Sequence, residues 1–256
     1  MIENKQGSMR KMLILQMRPE DEAADSEFQA ILRVGELGLG EVHRVRLEQG
    51  IPEIDMEDYY AIIAGGSPFD VSMDQKEKGQ VQKDIEVFYD RLFDHVVSSD
   101  VPFFGACSGN GLLGKYCGAR ISGKYSEPIG SVDISITEEG ANDPLLKGLP
   151  RTFSALVGHK EACDALPSGA VLLGTSGSCP VQMFRVKKNI YAAQFHPEAD
   201  ANEFILRIKT YKNFGYFAPE EADGLIRAIR RANTPIAKEI LRRFVERYKL
   251  QALKQG

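Results

Sequence analysis

The stretch "FFGACSGNGLLGKYCG", residues 103–118, admits three readings that demand different folds and different chemistry. Gly109, Gly111 and Gly114 spell G-x-G-x-x-G, the fingerprint of a dinucleotide-binding turn. Gly109 to Lys115 spell all but the last letter of a phosphate-binding P-loop. Cys107, held between Gly105 and Gly109 after an apolar run, has the setting of a nucleophile on a sharp strand-to-helix turn.

The P-loop needs a Ser or Thr after its lysine to ligate Mg²⁺, and Tyr116 stands there instead. The dinucleotide reading fits better, because an acidic residue, Asp133, follows about 20 residues on. Asp133 falls inside the strand-like "GSVDISIT" rather than at a strand end, so it is badly placed to reach a ribose. The third reading explains the cysteine. At an elbow the side chain is pushed into the cleft, and the free N–H groups and positive end of the following helix favour thiolate over thiol. A free cysteine is also often just a small buried hydrophobe, and the elbow alone leaves both readings standing.

Working outward, "KMLILQM" (11–17) is a short apolar strand, and "DEAADSEFQAILRVGEL" follows with Phe28, Ile31, Leu32 and Gly35 at helical spacing. "VHRVRL" (42–47) alternates as a strand does, and "YYAIIA" (59–64) is an apolar strand that ends in Gly65-Gly66. A helix is predicted over about 76–97 through Val81, Ile85, Phe88 and Leu92, ahead of the strand "VPFFGA". Strands alternating with helices predict a mostly parallel central sheet flanked by helices, whose ligand sites lie beyond the carboxyl ends of the strands. "AGGSP" and "GACSG" both lie at such ends. From 129 to 195 short segments such as "AVLLGTS" and "PVQMFRV" predict extra antiparallel or mixed strands. Helical segments follow over roughly 201–211, 219–232 and 234–250. The expected organisation is one α/β domain over 11–200 and a helical extension over 201–256 packed on it.

The 256 residues are 43% hydrophobic, enough for a real core, and the net charge of −4 is spread without a basic stripe. That excludes a nucleic-acid footprint and favours small-molecule chemistry. No apolar run approaches the roughly 20 residues that span a bilayer, and "MIENKQGSMRK" lacks the apolar stretch of a secretory signal. The expectation is a cytoplasmic protein whose polar leader, "MIENKQGS", precedes a fold beginning near Lys11. Cys107, Cys117, Cys163 and Cys179 show no C-x-x-C pairing, so free thiols are expected rather than a disulfide framework or a zinc site.

A second segment, "YAAQFHPEAD" (191–200), tips the balance toward the nucleophile. His196 follows an apolar strand, and Glu198 stands two residues on, with Pro197 stiffening the turn, so a carboxylate can orient an imidazole. Cysteine, histidine and an orienting acid are the parts of an activated thiol. The H-x-E pair also fits two metal ligands, yet no further cluster stands out to complete a shell, and no metal or cofactor is expected.

With these residues in view, the chain resembles the class I, triad-type glutamine amidotransferases, and most of all the subgroup similar to the glutaminase half of GMP synthetase. Four segments in order carry the likeness: "IIAGGSP", "VPFFGACSGNGLLGKYCGARI", "VGHKEACDALPSGAVLLGTSGSCPVQMFRV" and "IYAAQFHPE". The resemblance implies the flavodoxin-like α/β fold of that family. It also implies that Cys107 attacks the side-chain carbonyl of glutamine, His196 carries the proton to the departing ammonia, and Glu198 fixes the imidazole. By the same resemblance the backbone N–H groups of Gly66 and Ser108 form the oxyanion hole, and Gly65, Ser67, Gly111, Gly158 and His159 line the substrate pocket.

Three departures qualify that carry-over. Gly111 occupies a place where the family usually has glutamine, so substrate identity is less secure than the nucleophile. Ser67 precedes Pro68 where G-G-P is common, so the oxyanion donor is Gly66 or its neighbour. His159-Lys160-Glu161 replaces the His-Gly-Asp of GMP synthetase relatives, and His159, read as a loop residue, either contacts substrate or caps a strand. Residues 200–256 are too short and too helical for a synthetase domain. The resemblance therefore implies that a separate acceptor protein receives the ammonia, or that the chain is a lone hydrolase of glutamine or a γ-glutamyl compound. A binding or regulatory homologue without catalysis is the third expectation. The oligomeric state stays open, a homo-oligomer included.

Overall fold

The structure, a computed structural model, describes residues 10–213 and 217–255; the polar leader lies outside them. The first apolar segments form β1 (Lys11–Gln16), β2 (Val42–Arg46), β3 (Tyr59–Ala64) and β4 (Phe103–Ala106). Amphipathic helices join them: α1 (Asp21–Gly35) leads from β1 to β2, and α2 (Gln80–Ser99) leads from β3 to β4. After β4 the chain turns into α3 (Ser108–Tyr116). The connection then runs through β5 (Ile121–Ser122), β6 (Glu127–Ile136), α4 (Glu138–Asn142), β7 (Thr152–His159) and β8 (Ala162–Cys163). It continues with β9 (Ala170–Thr175), β10 (Met183–Val186) and β11 (Ile190–Ala193). Three helices close the described chain: α5 (Ala201–Thr210), α6 (Ala222–Ile229) and α7 (Pro235–Gln255).

The main sheet runs β2-β1-β3-β4-β11-β10-β9-β6-β7. Its first five strands pair in parallel, and from β11 onward every pairing is antiparallel. The mostly parallel centre and the extra strands after residue 129 are both as the sequence pattern predicts. Besides the short β5–β8 pair, one strand of the main sheet was not anticipated: β7 carries "TFSALVGH", so His159 ends a strand rather than standing in a loop. Ser154 and Gly158 interrupt its apolar pattern, which hid it. The predicted helix over 76–97 begins at Gln80, because Asp74 accepts the N–H groups of Lys76, Glu77 and Lys78 and forms a turn there.

Both faces of the parallel half are covered. On one, Leu13, Leu15, Ile62 and Phe103 pack with Ile85, Tyr89, Phe93 and Val96 of α2. On the other, Met12, Ile14, Ile63 and Phe104 pack with Phe28 and Ile31 of α1 and with Ile240, Leu241, Phe244 and Tyr248 of α7. Apolar runs buried on both faces are what a parallel sheet requires.

Register then fixes the site. In parallel neighbours Ala106 pairs with Ala193, and Gly105 with Ala64. The residues just past β3, β4 and β11 therefore emerge together at the carboxyl edge. Gly65-Gly66, Cys107 and the segment leading to His196 are brought side by side although they lie far apart in sequence.

Candidate active site

Cys107 sits at φ 52°, ψ −101°, a left-handed backbone that a side-chain-bearing residue adopts only when its surroundings force it. Its N–H donates to Ala193 O at 2.8 Å, and its carbonyl accepts from Asn110 and Gly111, so the elbow is tied to β11 and to α3. The flanking glycines are obligatory for space. A Cβ on Gly105 would lie 2.7 Å from the Gly109 carbonyl, and one on Gly109 would lie 3.0 Å from Ala64 O.

His196 is anchored by its own N–H, which donates to Leu156 O at 2.9 Å. Its Nδ1 lies 2.8 Å from Glu198 Oε1, so the turn through Pro197 does bring acid and imidazole together. Both side chains are buried. Cys107 and His196 line one cavity, with Arg18, Ser67, Ile129, Gly158, Phe204, Arg207 and Tyr211. Among the described residues no hydrogen bond joins Cys107 Sγ to the imidazole. Cys107 also lines a second cavity, with Ser67, Phe69, Asp70, Ser108, Gly111, Gly158, His159, Lys160, Glu161 and Gln194. The nucleophile candidate thus faces two compartments.

The remaining predicted site residues divide. Ser67, Ser108, Gly111, Gly158 and His159 line the second cavity, while Gly65 and Gly66 line neither. Gly66 passes the imidazole closely: a Cβ there would lie 3.1 Å from His196 Cε1. Its N–H donates to Glu27 Oε2 at 3.3 Å, and the Ser67 N–H donates to Ser108 Oγ at 2.9 Å. Ser108 opens α3, so its N–H falls in the first turn, where no intrahelical acceptor exists. His159 is buried, with Nε2 2.8 Å from Glu127 Oε2 and Nδ1 3.1 Å from Glu161 O. Glu127 also accepts from Gln182 Nε2 at 2.6 Å and from Ser178. His159 is thereby held as part of a polar floor under the second cavity.

A buried ionic network surrounds the imidazole. Arg18 Nε donates to Glu27 Oε2 at 2.7 Å, and Arg207 Nη2 lies 2.8 Å from Glu198 Oε1 and 3.6 Å from Glu27 Oε2. Arg207 Nη1 lies 2.9 Å from His196 Nδ1. Arg18 Nη1 donates to Tyr211 Oη at 3.3 Å. None of Arg18, Glu27 and Arg207 was singled out from sequence, yet a signal was present. Arg207 stands between Phe204 and Ile208 on the buried face of α5, and Glu27 stands on the same buried face of α1 as Ala23 and Ile31. A charge on the apolar stripe of an amphipathic helix is either paired or functional.

The electrostatics follow. Burial works against ionisation of Glu198, but His196 and Arg207 outweigh it and hold the carboxyl well below its usual range. Burial lowers the affinity of His196 for a proton; Glu198 opposes this and Arg207 adds to it, so the ring is kept neutral. Burial pushes the Cys107 thiol up to about 11, against the pull of Arg18 and Arg207. The sequence-based expectation of a thiol below its reference value does not describe this resting site, because two glutamates offset the two arginines and desolvation decides. The resting pair is a neutral thiol beside a neutral imidazole. All four cysteines are free, and among the described residues no group of three or more His, Cys, Asp or Glu side chains gathers to hold a metal ion. Nor is any described helix long and apolar enough to cross a membrane.

A strained cysteine at a strand-to-helix elbow shares a cavity with His196, which together with its partner Glu198 follows the neighbouring parallel strand, and this marks an α/β protein with a candidate thiol site. Comparison with known proteins places it further. The sequence pattern of the family "Glutamine amidotransferase class-I" matches residues 23–210, and the chain belongs to that family. It is 30% identical over 160 residues to a glutamine-hydrolysing GMP synthase subunit of Sulfurisphaera tokodaii, covering 62% of this chain and 77% of that one. To the corresponding GMP synthase subunit of Methanococcus maripaludis it is 36% identical over 109 residues, which span 42% of this chain and 56% of that protein. Among solved structures, a glutamine amidotransferase from Thermotoga maritima superposes with a TM-score of 0.75 at 20% identity, covering 95% of this chain and 99% of that one, which shows the shared fold.

Proposed function

We propose that the protein hydrolyses the side-chain amide of glutamine at Cys107 and delivers the ammonia to a separate acceptor enzyme. One observation carries this reading: the elbow cysteine lines one cavity with His196, whose ring meets Glu198 at 2.8 Å, at the carboxyl edge of the parallel strands. In the reaction, His196 takes the thiol proton as sulfur bonds to the amide carbon. The same proton then passes to the nitrogen, the C–N bond breaks, ammonia leaves and the γ-glutamyl group stays on the Cys107 sulfur as a thioester. Water, deprotonated by the ring, releases glutamate and restores the thiol. Glu198 keeps the ring oriented throughout, and the Ser108 N–H is placed to stabilise the oxyanion, with Gly66 as second donor once Glu27 lets it go. A separate acceptor is supported by the naming of the relatives as one subunit of a glutamine-hydrolysing synthase.

A second reading has its own support. The cavity beside His196 contains two arginines and the Tyr211 hydroxyl, and these suit a leaving amine larger than ammonia that carries a carboxylate, as in a γ-glutamyl dipeptide. The deciding experiment measures ammonia and glutamate released from glutamine, and amino acid released from γ-glutamyl dipeptides, with Cys107→Ala as control. Labelling of Cys107 by the glutamine mimic diazo-oxo-norleucine is the expected companion result. Absence of labelling, with Cys107→Ala matching the parent in every assay, would leave the binding or regulatory role as the better account.

A further inference from the structure

His196 Nδ1 lies within hydrogen-bonding reach of two groups that ask opposite things of it. Glu198 Oε1, 2.8 Å away, is a carboxylate oxygen that only accepts, so it calls for a proton on Nδ1. Arg207 Nη1, 2.9 Å away, only donates, so it calls for a lone pair there. One ring nitrogen cannot answer both. The second prong of the same guanidinium favours the arginine, because Nη2–H donates to Glu198 Oε1 at 2.8 Å and so serves the oxygen that the ring would otherwise engage. Among the described residues the buried Glu198 Oε2 meanwhile has no hydrogen-bond partner, so the carboxylate is not in its best-satisfied arrangement.

We propose that Arg207 is a positioning residue that holds resting His196 with its proton on Nε2, so that the ring cannot accept the Cys107 proton until the guanidinium moves. The proposal rests on the reading of His196 as the general base, since a base at Nε2 needs a lone pair facing the sulfur. The network offers the guanidinium a second seat. Glu27 Oε2 lies 3.6 Å from Arg207 Nη2, and a shift of Arg207 from Glu198 onto Glu27 frees Nδ1. The ring proton then moves from Nε2 to Nδ1 by exchange with water, with no net gain or loss. Nδ1–H donates to Glu198, and Nε2 is left as acceptor. The same shift gives Glu27 a full partner in place of the Gly66 N–H, its longest hydrogen bond at 3.3 Å, and returns that N–H to the oxyanion site. Base and oxyanion donor are switched together because both are held through one carboxylate and one arginine.

Groups around the ring come from several elements: Glu198 from its own turn, Arg207 and the Phe204 ring from α5, Arg18 from the end of β1 and Cys107 from the elbow, with Glu27 of α1 behind Arg207. Of these only Arg207 and Glu198 bond to the imidazole, so the tautomer reports on their competition.

The test is nitrogen NMR of the full chain with ¹⁵N-labelled histidine, in which protonated and lone-pair ring nitrogens resonate far apart; His196→Asn assigns the signals. The expected result for the wild-type protein is a proton on Nε2 and a lone pair on Nδ1. Arg207→Met should move the proton to Nδ1 and raise the ring's titration midpoint, a response that a merely structural arginine would not give. A wild-type ring already protonated on Nδ1, or an Arg207→Met ring unchanged from wild type, overturns the proposal. The wild-type spectrum decides it alone should the methionine variant not fold. Labelling of Cys107 by diazo-oxo-norleucine separates the two readings: Nδ1–H with labelling intact removes only the role of Arg207, whereas lost labelling removes the amidase itself.

Discussion

Glu27 accepts the backbone N–H of Gly66 at 3.3 Å, so a carboxylate on α1 occupies a donor of the candidate oxyanion hole. The same carboxylate compensates Arg18 at 2.7 Å and stands 3.6 Å from Arg207. Removing one partner of a buried ionic network leaves the other charges uncompensated, which costs about 3–5 kcal/mol. Glu27→Ala should therefore lower the thermal midpoint by on the order of 10 °C in a chain of this size. A change of less than about 2 °C would mean that water reaches both guanidiniums, and the network would then lack the closure described above.

The glycines of the elbow differ in what they tolerate. At Gly105 and Gly109 a Cβ meets backbone, which cannot step aside as a side chain can, and Ala at either should open the turn and abolish labelling of Cys107. Gly111 lies within helix α3, and the nearest atom to a Cβ there is Val71 Cγ2 of the loop after β3, at 3.7 Å, an ordinary contact. Gly111→Ala should stabilise the protein by about 0.5–1 kcal/mol through helix propensity. Denaturant titration of the three variants checks the opposite signs.

How much of this was legible follows from what a linear pattern can carry. The strand containing Ile62 and Ile63 and the one leading into Cys107 are apolar because both faces are covered, so runs such as "YYAIIA" mark them at once. The elbow and the His196–Glu198 pair were legible because each motif is local. β7, the terminal strand paired only with β6, was missed because its apolar pattern is broken at Ser154 and Gly158. Arg18, Glu27 and Arg207 were missed for a different reason. Their meaning lies in pairings between residues 9 or more positions apart, as in Arg18 with Glu27 and Arg207 with Glu198, and no periodicity records those.

The thiol offers a test by titration. With burial pushing Cys107 up to about 11, the thiolate fraction in the resting protein rises about tenfold per pH unit over the whole accessible range below that value. Alkylation of Cys107 by iodoacetamide should keep accelerating from pH 7 to pH 10. A plateau near or below the reference value of about 8.5 would show a thiolate stabilised by an imidazolium partner in the resting state. That outcome would contradict a resting pair in which burial keeps both thiol and imidazole neutral.

Acid should destabilise the fold in two stages, and the order tests the buried His196–Glu198 pair. His196 is held below its reference value of about 6.5, chiefly by burial, so on acidification the unfolded chain takes up a proton before the folded one does. Stability is then lost as pH falls below about 6.5, by at most about 1.4 kcal/mol per pH unit for one proton, until the folded ring titrates too. Glu198 is likewise depressed, by His196 and Arg207 against its burial, so its contribution is present above the ordinary glutamate range and lost as pH falls beneath about 4.5. Both slopes have the same sign, since in each window the unfolded state binds more protons. Urea unfolding between pH 7.5 and pH 4 measures the first stage directly, and His196→Asn should flatten the curve between pH 6.5 and 5 and, by removing one of the two groups that depress Glu198, shrink the loss below about 4.5 as well. A wild-type curve flat from pH 7 to pH 5 would mean that the ring is protonated equally in both states, and burial would not be the dominant influence on it.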